Sequence, residues 1–235
     1  LEQSGPLPPH GGAGRGSLSA HVEDWSTLVL SNGRDEITFN TRTGILTALR
    51  YDGGNNLIHR GQGPALYTYR TISNDRHNWA DAESTVSKFD WELTPQGGAL
   101  ITVIRSSQMP RTVINDTTVY TVHADGTVDV HATFGTADDF RLPRIGLQAM
   151  LNPTLENVSW YGRGPIENWP DRKDAAFVGR YTSTVTDMEE FYVRAQSMGE
   201  RCDTRWLTLT DNSGKGLRID GDGQTFDFCA LHVTD

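Results

Sequence analysis

Two stretches of the chain gather side chains capable of chemistry. The first is SNDRHNW, residues 73–79, where Asn74, Asp75, Arg76, His77, Asn78 and Trp79 set planar donors and acceptors beside an indole within one loop. Sugar sites are assembled from such parts, because planar polar groups read hydroxyl pairs and an aromatic face covers the C–H side of a ring. The same residues also suit an Asx-rich turn that caps two strands. The second stretch is VSWYGRGPIENWPDR, residues 158–172, followed by FYVRAQSMGERCDTRWLTL at 191–209. Gly162, Gly164 and Pro165 predict a tight bend after a strand, and Glu167, Asn168, Asp171 and Arg172 then arrive together. Arg172, Arg194, Arg201 and Arg205 are expected to pair with Glu167, Asp171, Glu200 and Asp203, in a structural network that pins long connections rather than in a catalytic one.

Other chemistries find little support. Glycoside hydrolysis usually needs two carboxylates about 5–9.5 Å apart, and sequence spacing locates no such pair among Glu156, Glu167, Asp171, Asp174, Asp187, Glu189, Glu190, Glu200 and Asp203. The histidines at 10, 21, 59, 77, 123, 131 and 232 show no metal-ligand spacing, so no metal is expected. No nucleophile elbow, phosphate-binding loop or dinucleotide fingerprint occurs, so no cofactor is expected. Cys202 and Cys229 are the only cysteines; two buried free thiols or one bridge are both compatible with them. A net charge of −9 without a Lys/Arg cluster disfavours nucleic acid as a partner. No apolar run reaches the roughly 20 residues of a bilayer helix, so no membrane partner is expected. Sequons at Asn115 and Asn157 have meaning only in an exported protein.

The elements that must position these groups read as strands. Residues 1–20, rich in Gly, Pro and Ser, predict a flexible linker or cloning remnant. From residue 21 to 235 a single all-β domain is expected. In residues 127–134, Val128, Val130, Ala132 and Phe134 alternate with Thr127, Asp129, His131 and Thr133, which predicts a half-buried strand. Asp125-Gly126 supplies the turn and TVYTVH at 118–123 the partner strand. Further strands are predicted at 26–30, 35–40, 45–51, 85–93, 99–105, 144–151, 156–161, 177–185, 205–210 and 216–220. Turn residues recur every ~8–12 positions, the spacing of an antiparallel sandwich or barrel, and helices should be few and short.

RIGLQAML at 144–151, VSWYGRGPIENWPDRKDAAFVGRY at 158–181 and DMEEFYVRAQSMGERCDTRWLTL at 187–209 closely resemble the C-terminal, small-chain β-sandwich of glycoside hydrolase family 2 β-galactosidases. ITFNTRTGILTALRYDG at 37–53 resembles that domain's opening strands, and YRTISNDRHNW at 69–79 its RAPxDND-type loop, at least one residue shorter. The resemblance implies a large antiparallel supersandwich similar to galactose mutarotase. It also implies a non-catalytic role in hydrolysis of terminal β-D-galactosides, since the family's two catalytic glutamates lie in a preceding (β/α)8 barrel, absent here. Implied partners are that barrel, a galactoside reached through the parent enzyme, and further copies in a homo-oligomer. The compartment stays open between cytoplasm and periplasm. Asn74, Asp75, Arg76, His77 and Trp79 are implied as the rim of the carbohydrate site. The family tryptophan that lines the galactose site lies beyond FDFCALHVTD, so no Trp here inherits that role, and the sandwich's last strands are expected beyond residue 235. A self-standing aldose 1-epimerase, using His77 or His131 with Glu167, and a carbohydrate-binding module are the alternatives.

Overall fold

The computed structural model describes residues 16–70, 83–109, 112–136, 142–194 and 196–233. Where the sequence suggested one core, the chain divides into two compact units. The first comprises residues 1–68 and 79–150, and the second 69–78 and 151–235.

The first unit begins with a four-stranded antiparallel meander, β1 (Ser19–Glu23), β2 (Thr27–Ser31), β3 (Glu36–Asn40) and β4 (Ile45–Arg50), paired in chain order. Strand β1 starts inside the stretch expected to be linker. Leu18 explains why: its side chain is buried and its N–H donates to the Gly97 carbonyl, so ordering is repaid two residues earlier than residue 20. A short ribbon joins β5 (Ala65–Tyr67) to β10 (Gly146–Gln148). The second large sheet is β6 (Glu83–Leu93), β7 (Ala99–Gln108), β8 (Val113–Val122) and β9 (Val128–Thr136), again in chain order.

Period-two alternation builds this unit's core. Ala99, Ile101 and Val103 of β7 and Ile114, Tyr120 and Val122 of β8 face inward, against Leu28, Leu30, Ile37, Phe39 and Leu46 of the meander. The sheets meet at Phe39, whose ring lies edge-on to Tyr120 with centroids 5.0 Å apart. They therefore form a sandwich. The Asp125-Gly126 turn forms as expected, with Gly126 at φ 85° and the Gly126 carbonyl accepting from the Tyr51 hydroxyl at 3.0 Å. One charged pair enters the core, Arg105 and Asp116, register partners on β7 and β8 at 3.3 Å. Strand β9 is less buried than its alternation predicts, and Val130 is 40% exposed, because β9 is the sheet's last strand among the described residues.

The second unit is built on β11 (Asn157–Gly164), β12 (Phe177–Thr184), β14 (Trp206–Thr210) and β15 (Gly216–Asp220), in the order β12-β11-β14-β15. A ribbon of β13 (Arg201–Thr204) and β16 (Phe226–Phe228) completes it. Trp160 is its central side chain, nearly fully buried, with Tyr181 at 5.4 Å and Phe228 at 5.9 Å. A single 3-10 turn, Thr186–Met188, is the only helical element among the described residues. Strands β1, β5, β13 and β16 lie outside the expected ranges.

Strand β11 runs on past the expected range through Gly162 and ends at Gly164, and the two glycines pair with Gly179 and Phe177 across β12. Both are places of close approach. A Cβ on Gly162 would lie 2.8 Å from the Thr204 backbone, and one on Gly164 2.9 Å from the Trp160 ring. The bend follows at the cis Gly164–Pro165 bond.

Candidate functional site

Directly after that bend, Glu167 becomes the hub of the second unit. It is 8% exposed, and its carboxylate accepts from four donors. Oε1 accepts from the Trp169 indole N–H at 2.9 Å, from the Tyr192 hydroxyl at 2.5 Å and from the Arg172 guanidinium. Oε2 accepts from the Gly199 backbone N–H at 2.6 Å. Arg172 also donates to the Tyr192 oxygen at 3.0 Å, while 57% of its side chain faces solvent. Burial, then the bond to Glu167, pushes the Tyr192 hydroxyl above its ordinary pKa. The Arg70 guanidinium lies 4.3 Å from the centre of the Trp169 ring, just before the chain enters residues 71–82. One carboxylate thus holds the ENWPDR bend, the 191–199 connection and, through Trp169, the approach to that segment.

Asn168, fully buried, continues the stitching. Its N–H donates to the Glu200 carbonyl at 2.9 Å, and its side-chain oxygen accepts from the Cys202 N–H at 2.9 Å. It supplies a backbone-like pair of bonds where no strand continues.

Asp203 is a second hub with partners other than those expected. It accepts from Arg163 Nε at 2.5 Å and from Lys173 Nζ at 3.0 and 3.1 Å. The Arg163 bond, then those from Lys173, hold its carboxyl below the ordinary range. Asp203 sits at φ 53°, a left-handed conformation that an Asp tolerates better than most residues.

Of the pairs expected from sequence, the structure brings together Glu167 and Arg172. Arg201 instead is 3% exposed and donates to the carbonyls of Gly199 and Glu200, each at 3.2 Å, with Trp160 at 5.7 Å. Burial lowers its pKa, an environment in which carbonyls and a ring face are the partners within reach. Arg205 donates to the Asp203 carbonyl and stacks 5.4 Å from Tyr161. Arg194 is exposed and, among the described residues, makes no ion pair; Asp171 is exposed beside Arg172. The sequence reading missed Tyr192, Trp169, Gly199, Arg163 and Lys173. The three donors to Glu167 among them carry no charge that would have flagged them. Asn74, Asp75, Arg76, His77 and Trp79 lie outside the described residues.

The arrangement has clear chemical limits. Oε1 of Glu167 accepts from three donors and Oε2 from one, so this carboxylate holds together the segments that carry those donors. Glu200, Cys202 and Asp227 bring one ligand atom each within 4.8 Å of one another, the one such group among the described residues. Burial pushes the Cys202 thiol up to about 12, and the thiol donates to the Asn168 carbonyl. Both cysteines are free thiols, and Cys229 is exposed rather than buried. A cleft in the first unit lined by Ile45, Gln62, Leu66, Gln148 and Met150 has no ionisable side chain. No helix among the described residues is long and apolar enough to cross a membrane.

These features define an all-β chain built of antiparallel sheets. Comparison with known proteins gives the family. A family model described as the beta galactosidase small chain matches residues 31–235, and the chain belongs to that family. It is 46% identical over 92 residues to a beta-galactosidase of Vibrio cholerae, covering 38% of this chain and 9% of that protein. A beta-galactosidase of Priestia megaterium is 33% identical over 103 residues, 43% of this chain and 10% of that protein. One from Psychromonas ingrahamii is 26% identical over 213 residues, 82% of this chain and 20% of that protein. The chain thus spans about a tenth to a fifth of these relatives, whose names mark the family as one of hydrolases.

Proposed function

We propose that this chain is the non-catalytic, C-terminal small-chain domain of a β-galactosidase, shaping the mouth of the galactoside site and making contacts to a preceding catalytic barrel. The family match over residues 31–235 carries this reading. The chemistry of the second unit is in keeping with it, because its acidic hub Glu167 accepts hydrogen bonds from several chain segments and holds them together. Asn74, Asp75, Arg76, His77 and Trp79 form the rim of the sugar entrance in the complete enzyme, and Arg70 on Trp169 ties the start of their segment to the Glu167 hub. No cofactor or metal is needed in this domain for that role, nor a nucleic-acid or membrane partner.

The test is a titration of the chain with galactose and lactose by calorimetry, with assays of nitrophenyl-galactoside hydrolysis and anomer interconversion on the same samples. Weak or absent binding without turnover is expected. Hydrolysis by the pure chain overturns the scaffold reading, and anomer interconversion alone replaces it with an aldose epimerase. In the complete enzyme, Asn74→Ala should alter galactoside kinetics; unchanged kinetics remove Asn74 from the rim.

A further inference from the structure

The connection after the 3-10 turn presents two large apolar side chains to water. Phe191 is 92% exposed and Val193 fully so. Between them Tyr192, 38% exposed, directs its hydroxyl to Glu167 and Arg172. Seven residues later the Gly199 N–H reaches the other oxygen of the same carboxylate. Gly199 is itself constrained, at φ 78° with Leu231 2.8 Å from where a Cβ would stand. Both ends of the connection are therefore tied to one buried group. A loose loop of this composition would fold its ring and isopropyl group against the protein; this one is tethered with both pointing out.

Two further apolar side chains of the second unit are exposed. Ile166, next to Glu167, is 54% exposed, and Phe177, opposite Gly164 in register, is 74% exposed. The flanks carry both signs of charge, Glu189 and Glu190 before the connection and Arg194 and Arg172 beside it. Exposed apolar and aromatic side chains flanked in sequence by charges of both signs are the make-up of a protein–protein contact.

We propose that Phe191 and Val193 form a docking hook covered by another domain of the same, longer polypeptide. The proposal rests on the reading of the chain as one domain of a β-galactosidase. The occupant follows from size: related proteins carry four-fifths or more of their length outside the matched segment, and a permanent neighbour keeps such a hook from water. The mixed flanking charges favour a neighbour with both signs of charge over a polyanion.

The test compares the 235-residue chain with the longer protein that carries it, both bearing Cys229→Ser and Val193→Cys, by the rate of maleimide labelling. Labelling roughly tenfold or more slower in the longer protein is expected, as for a site opened only by local fluctuation. Equal rates overturn the docking, as does the finding that no longer protein carries this segment. Phe191→Ser should lower the thermal midpoint of the longer protein and leave that of the 235-residue chain unchanged; the same midpoint in the longer protein overturns the proposal. A dimer of the 235-residue chain in sedimentation that Phe191→Ser dissolves assigns the hook to a second copy and also overturns it. Nitrophenyl-galactoside hydrolysis by the longer protein is read separately. Its absence defeats the galactosidase reading while the labelling still reports the contact.

Discussion

The sandwich of the first unit and the Glu167 hub of the second hold their backbones by different physics. In the sandwich, inward residues repeat every second position, and each contributes apolar area that is interchangeable within limits of volume. At the hub a single carboxylate receives four specific donors, and each bond depends on the position of a particular atom. The first kind of order is distributed and tolerant. The second is concentrated, so a change at its centre is felt along three chain segments while a change at its edge is felt little.

The largest effect separating the two regimes is expected from Phe39→Ala, which empties a fully buried site between the sheets and should cost about 3–5 kcal/mol. Amide hydrogen exchange should show the loss in the first unit's strands; loss confined to the second unit would contradict the described core. Glu167→Ala should follow at roughly 2–4 kcal/mol, since it leaves Trp169, Tyr192 and Gly199 donors without their acceptor. Exchange should then rise at Asn168, Gly199 and Cys202. Arg172→Ala should cost only about 1 kcal/mol, because its side chain is more than half exposed and Glu167 keeps its other donors. A loss as large as that of Glu167→Ala in urea unfolding would show that the ion pair, not the hub, is the fastener.

Acid titration sharpens the contrast by sign. Asp203 has a lowered carboxyl pKa, so its stabilisation is complete above the ordinary range near pH ~4 and fades as pH falls through its lower folded value. Asp116 has a raised one, chiefly from burial beside Arg105, so its contribution is most favourable below about pH 4 and is lost as pH rises through the raised value. Asp203→Asn should therefore flatten the acid loss of stability, and Asp116→Asn should steepen it. The same slope change in both variants would refute the assignment. The smallest effect is chemical: at neutral pH a disulfide reagent should modify Cys229 in the native chain and Cys202 only after denaturation, as its buried thiol with a pKa of about 12 requires.

Much of the first unit was legible because its signal is local. The hairpin at Asp125-Gly126 and the long strands on either side follow from alternation and a residue that accepts positive φ. Even there, the exposure of Val130 depended on which strand ends the sheet, a fact of pairing rather than of period. At the hub, charge pointed to Glu167 and Arg172 but misassigned Arg201 and Arg205, which turned to backbone carbonyls and aromatic rings. It also missed the neutral donors.

By itself, then, the sequence determined an antiparallel all-β chain, its principal strands and turns, and its family, because strand period and turn chemistry act over a few neighbouring residues. The tertiary structure alone decided that the chain divides in two, that Arg163 and Lys173 rather than the sequence neighbours Arg201 and Arg205 serve Asp203, and that the Tyr192 hydroxyl reaches Glu167 while Phe191 and Val193 stand in water. Those outcomes depend on which atoms meet across 25 to 40 residues of chain, a matter of packing and hydrogen-bond direction that no local pattern encodes.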